Sequence, residues 1–327
     1  MVAPRSVSDE GLDMTQGSPD DPRLTAVSLR RDLVAAGWTD HMLVQAVRRG
    51  ELARPRYGAY VDGRAWAGLD AAGRHEVTAR AVVAASRTSV VLSHVTAATL
   101  HGTPDYGLDR TDVHLTRRDG RTGRAEAGVR QHRGRLLAGD DVTVRGTPTM
   151  SPTRTALELT TMLGTEPALV QVNDLLHRGL TTADQLAQRY ENGMEHWPST
   201  LRTDLVLRLA DHRIESVAES RFVFLAWQQH LPAPEPQVDI ADADGVIRAR
   251  VDFAWAERGV FLEVDGRVKY EKLLRPGENV VDVVLREKKR EALVCRLTGW
   301  RCLRVDWADL EHPERTARWI RDELDRV

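Results

Sequence analysis

The sequence predicts an α/β protein of several domains, and three observations predict it. A chain of 327 residues is long enough for two or three compact cores. Helical periodicity and strand alternation are mixed along it, as in a protein that packs helices against sheets. Its last third reads helix, three short strands, helix, strand, helix, the order of a mixed sheet sandwiched between helices.

Composition narrows the class. Hydrophobic residues make up 42% and charged residues 29%, an ordinary globular balance. No run of 18 apolar residues occurs, so no membrane span is expected. Residues 1–22 lack an apolar signal core and read as a disordered tail, which leads to the expectation of a cytoplasmic protein. A net charge of -2 neither favours nor excludes nucleic acid, because the placement of charge decides. Cys295 and Cys302 have neither metal-knuckle nor redox spacing and read as two buried thiols.

Taken in order, LTAVSLRRDLVAAGW is helical and stops at Gly37. Thr39 offers an N-cap to DHMLVQAVRRG, a second helix closed by Gly50. ELARPRYGAYV then alternates around a glycine turn, as a two-stranded wing does. Helix, turn, helix and basic wing is a winged helix-turn-helix layout for residues 23–66. The stretch GWTDHMLVQAVRRGELARPRYGAYV resembles the N-terminal domain of AbiEi-type antitoxins. That resemblance implies DNA binding, with Arg48, Arg49, Arg54 and Arg56 as contacts, and a protein toxin as partner.

Residues 67–200 read as a mixed α/β middle domain. AGRHEVTARAVVAAS is a helix, VVLSHVTAATLHG a strand and a short helix capped by Ser93, and TDVHLT, GVRQHR and DVTVRGTPTM are strands. Ser151 and Pro152 make a strong helix start, and two further helices run to about Tyr190. This order is similar to the middle part of AbiEi-like proteins. Between residues 110 and 135 eight arginines face three acids, so the stretch is either a solvated basic hairpin or a phosphate-contacting surface led by Arg117 and Arg118. His94, His101 and His114 share no metal-ligand spacing and receive no assignment.

After the linker-like NGMEHWPST, residues 201–327 form the last domain. In VIRARVDFAW, alternation places Val251, Phe253 and Trp255 on one face and Asp252 on the other. GVFLEVDG places Phe261, Glu263 and Asp265 together, and the AERG turn makes the two strands antiparallel neighbours. Asp252, Glu263 and Asp265 are therefore expected to converge. Three clustered carboxylates need a cation, and Mg²⁺ (or Mn²⁺) suits an all-oxygen set.

An acid on one strand followed by acid-x-acid on the next is similar to the core of the PD-(D/E)XK nuclease superfamily. VDFAWAERGVFLEVDG, a helix carrying REKKRE, and GWRCLRVDW resemble more narrowly the branch related to very-short-patch repair endonucleases. The resemblance implies a restriction-endonuclease-like α/β/α sandwich and metal-dependent phosphodiester hydrolysis. Asp265 stands where lysine is frequent in that family, and Lys269 where histidine is frequent. The chain's lysines are Lys269, Lys272, Lys288 and Lys289 alone, which makes Lys269 and Lys288 candidates to stabilise transition-state charge. Glu219 is a further candidate carboxylate, or with Glu215 a solvated helix face, and Gln237 a candidate polar lining residue. Two functions stay open: a DNA endonuclease, or an AbiEi-like antitoxin and regulator whose nuclease-type domain is inactive.

Overall fold

A computed structural model describes residues 21–121, 125–126, 128–194, 197, 200–265 and 280–326. The chain is a multi-domain α/β protein, and among the described residues no helix is long and apolar enough to cross a membrane. Contacts divide it into two compact units, residues 1–102 with 108–155, and residues 103–107 with 156–327. The division falls inside the 67–200 stretch read from sequence as one domain.

In the first unit, α1 (Arg30–Ala35) and α2 (Asp40–Arg48) flank the Gly37 turn, where φ is 93°. The Thr39 hydroxyl accepts the Met42 N–H at 3.2 Å, so the expected N-cap is present. Strands β1 (Ser28–Leu29), β2 (Leu52–Arg56) and β3 (Ala59–Asp62) form an antiparallel sheet in the order β1-β3-β2. After the short α3 (Gly63–Ala67) comes α4 (Ala71–Ala85), capped by Asp70. Helix α4 packs back on the wing: Val77 meets Val61 and Leu69, and Ala81 meets Leu29 and Ala59. It thus supplies, from after the wing in sequence, the apolar backing that a leading helix would give.

The rest of this unit is a six-stranded sheet ordered β6-β7-β5-β4-β9-β8. Its strands are β4 (Val90–Leu92), β5 (Val113–Arg117), β6 (Ala125–Glu126), β7 (Val129–His132), β8 (Asp141–Val144) and β9 (Thr147–Met150). Helix α5 (His94–Leu100) lies entirely buried between β4 and β5 in sequence. Ser93 precedes it, but the expected cap bond is absent: its hydroxyl meets His94 Nδ1 at 3.0 Å instead. The wholly buried Arg154 reaches Asp140 at 3.2 Å, and Arg145 chelates Glu76 of α4 at 2.6 and 2.7 Å.

His75 of α4 is buried between Thr96 Oγ1 (2.8 Å) and the Arg110 carbonyl (3.1 Å). Burial pushes its pKa down from 6.5 to about 4. Between those values the unfolded chain binds a proton that the folded chain refuses. Stability is therefore complete above pH 6.5 and falls on acidification towards pH 4. Near pH 5 the loss from this one group is about 2 kcal/mol. Urea midpoints at pH 7 and pH 5, compared with His75→Gln, measure it, and a wild-type loss no larger than the variant's contradicts it.

The second unit begins with helices α6 (Pro152–Met162, shared with the first), α7 (Thr165–His177), α8 (Ala183–Glu191) and α9 (Thr200–Leu209). Helix α9 was not read from the sequence. Leu169, Val172, Leu176, Leu186 and Val206 form their common core. They abut α10 (Val217–Gln228), where Asn173 donates to Ser220 Oγ at 3.1 Å.

A four-stranded sheet follows, ordered β10-β11-β12-β13. It comprises β10 (Glu235–Ala241), β11 (Ile247–Trp255), β12 (Val260–Asp265) and β13 (Arg301–Asp306), the last pair parallel. One face buries Phe253, Trp255, Leu262 and Val264 against α10, the short α12 (Trp307–Leu310) and α13 (Pro313–Leu324). The other face buries Val251, Ala254 and Phe261 against Val294 of α11 (Val280–Thr298). The helix-sheet-helix layering read from sequence is observed. Cys295 and Cys302 edge this second core and are half-buried, not fully buried as expected.

Candidate functional site

The acidic residues sit at the heart of the four-stranded sheet. Phe253 pairs with Leu262 in antiparallel register, and Asp252 and Glu263 are the next residues on the two strands beyond that last pair. The Val264 N–H donates to Asp252 Oδ2 at 2.8 Å. Alternation fails here: Val251 lies in the α11-side core, whereas Phe253 and Trp255 lie in the opposite one. The expected shared face of Val251, Phe253 and Trp255 is thus corrected. Next to the break, Gln237 of β10 holds a φ of 54°, a left-handed conformation uncommon for a side chain of this type.

Gln237 Nε2 donates to Glu219 Oε2 at 2.9 Å. Glu219 stands in the first turn of α10, 6% exposed, and accepts from the Ser216 hydroxyl and the Glu215 N–H. Burial raises its pKa and the nearby Asp252 charge adds to that, against the lowering effect of its hydrogen bonds. Glu215 itself is exposed, so the two glutamates do not make one solvated face.

Glu263 is 3% exposed, and the Arg290 guanidinium of α11 binds its Oε2 at 2.5 Å. Asp265 is half-buried, 3.4 Å from Arg304, which also holds Glu291 at 2.7 Å. The expected convergence of Asp252, Glu263 and Asp265 is not what the structure has. Each is already engaged by a guanidinium or a backbone amide, and the three do not bring ligand oxygens within 4.8 Å of one another. Oxygen donors suit Mg²⁺ or Mn²⁺ chemically, but as arranged they do not fit one shared ion. Lys288 is exposed on α11, and Lys269 lies outside the described residues.

The basic candidates lie in the first unit. Arg48 is exposed at the end of α2, and Arg54 stacks over the Tyr57 ring, 4.9 Å from its centroid, at a wing tip where Tyr57 is 84% exposed. Arg49 is paired with Glu51 at 2.7 Å. Arg117 is paired with Asp119 at 2.5 Å, and Arg118 with Asp141. Arg56 of the wing and Arg117 of β5 nevertheless line one open pocket of about 360 Å³ with Arg87 and Gln131. Arg87 was missed from sequence because it lies alone in a loop, outside both basic stretches.

A second constellation was also missed. His94, His114 and His132 gather within the six-stranded sheet's core end, their nearest ring nitrogens all within 4.8 Å. His114 Nδ1 meets His132 Nε2 at 2.9 Å, and the His94 and His132 rings stack at 3.7 Å. Burial drives the His94 pKa far down and lowers that of His114 to about 4. His101, by contrast, is bonded to the Met150 carbonyl and stands outside the group.

No family model and no curated protein matches the chain. Among solved structures, the RV2827C protein from Mycobacterium tuberculosis is similar over 56% of this chain and 71% of that one, at 16% identity and a TM-score of 0.39.

Proposed function

We propose that this chain is a cytoplasmic DNA-binding protein whose C-terminal sheet keeps the acidic framework of a nuclease-type domain. The observation that carries the reading is the two-helix turn backed by an antiparallel wing, with Arg48 and Arg54 both turned to solvent. Helix α2 offers a surface that enters a major groove, and the wing carries cations that meet the flanking phosphates. The pocket shared by Arg56, Arg87 and Arg117 extends the same cationic surface onto the larger sheet. The AbiEi-type resemblance agrees with this and adds a protein toxin as the regulated partner.

Fluorescence anisotropy with a labelled duplex tests it. Wild type is expected to bind with an affinity that falls steeply with salt. Arg48→Ala/Arg54→Ala is expected to lose roughly tenfold and to flatten the salt slope by about 2. Equal binding by wild type and variant ends the reading.

A second reading, phosphodiester hydrolysis, is favoured by Asp252 held on the Val264 N–H, next in sequence to Glu263, and by the Glu219 carboxyl buried near Asp252. The Arg290–Glu263 ion pair favours the inactive alternative. Supercoiled and mismatched DNA incubated with Mg²⁺ or Mn²⁺ separates them. Nicking by wild type that Asp252→Ala and Glu263→Ala both lose establishes hydrolysis, whereas unchanged DNA leaves the regulator.

A further inference from the structure

We propose that His94, His114 and His132 form a three-histidine site for a divalent transition-metal ion, Zn²⁺ foremost, with its remaining coordination position open. This site is independent of the acidic centre and of the DNA-binding reading.

The three residues come from three different elements: the first residue of α5, the second residue of β5, and the last residue of β7. Parallel pairing of β5 with β7 places His132 next to Thr116, two residues along from His114. The Ser93 N–H bonds the His114 carbonyl at 3.0 Å, which draws the start of α5 onto the same strand. Backbone pairing thus delivers all three imidazoles to one point. Zn–N bonds of about 2.0–2.1 Å hold neighbouring ligand nitrogens roughly 3.3 Å apart in a tetrahedral shell. The nitrogens here, all within 4.8 Å and two of them at 2.9 Å, need shifts of about an ångström or less.

Two further features point to a ligand. His94 holds a φ of 51° in a helix-opening position, a conformation that costs energy for a residue with a Cβ and that aims its ring at the other two. Ser93 Oγ sits on His94 Nδ1 at 3.0 Å, the kind of outer partner that fixes a ligating ring. The donor set is nitrogen only, which selects Zn²⁺ and its transition-metal neighbours over Mg²⁺ or Ca²⁺. Three histidines leave a fourth position for water or a substrate oxygen, the pattern of catalytic and not structural zinc. The near-parallel His94 and His132 rings, 18° apart, must splay to share an ion, and His132 is the partly exposed member.

The test uses the full chain stripped of metal by a chelator and then titrated with Co²⁺ and Zn²⁺. One equivalent of Co²⁺ is expected to give the strong visible absorption of four-coordinate cobalt, displaced by Zn²⁺. His132→Gln and His114→Gln, checked for folding by circular dichroism, are expected to weaken binding roughly 100-fold or more. His212→Gln, whose side chain is 77% exposed, is expected to bind as wild type. Should the buried variant fail to fold, wild-type imidazole ¹⁵N spectra carry the test: Zn²⁺ moves the signals of three histidines at one equivalent. Wild type that binds no more metal than His132→Gln, or zinc shifts at other histidines, overturns the site.

Discussion

Replacing Arg154 by alanine is expected to destabilise the first unit by about 3–5 kcal/mol, the cost of stranding a buried carboxylate. Arg154 is the largest wholly buried side chain in the protein's described residues, and the Asp140 side chain it meets is 2% exposed. Asp140 also accepts the Leu137 N–H, and its carbonyl takes the Ser151 N–H, so the pair ties the β8 approach to the start of α6. Arg154→Met/Asp140→Asn is expected to recover most of the loss, because removing both charges removes the desolvation penalty along with the attraction. Urea titration of the three proteins decides. A single-variant loss under 1 kcal/mol means that water reaches Asp140 and that the pair is not structural.

That ion pair also illustrates what a sequence can and cannot disclose. Local signals were legible where local physics makes the element. Thr39 and Gly37 bound the helix pair, Pro152 opens α6, and the glycine turns at DADG and AERG set the C-terminal meander. Non-local pairing was not legible. Nothing in the order of residues says that β5 pairs in parallel with β7, so His114 and His132, 18 positions apart, could not be joined to His94 by spacing. Nor does it say that α4 turns back to support the wing ahead of it. At the acidic centre, alternation correctly separated Glu263 from Leu262 but failed at Asp252, where Gln237 of β10 takes a left-handed φ and β11 changes faces between Val251 and Phe253. The arginines that neutralise Glu263 and Asp265 come from α11 and β13, 27 and 39 residues away. Charge patterning within either segment does not reveal them.

Arg290→Ala puts the meaning of that neutralisation to experiment. Glu263, with a side chain 5% exposed, loses its guanidinium, and the expected cost is about 3 kcal/mol, the low end for a broken buried pair because Arg290 itself is 39% exposed. If the carboxylates retain a cation-binding capacity that Arg290 suppresses, Mg²⁺ at ten times its dissociation constant returns about 1.4 kcal/mol to the variant while leaving wild type unchanged. Glu263→Gln/Arg290→Ala should then regain stability and lose the Mg²⁺ response together. Melting curves of the three proteins with Mg²⁺ and with a chelator read both effects at once. A stability loss without any Mg²⁺ response makes Arg290 a structural clamp on an acid that no longer serves a cation, and the regulator reading gains what the nuclease reading loses. A response confined to Arg290→Ala makes the arginine a built-in competitor for the cation at these carboxylates.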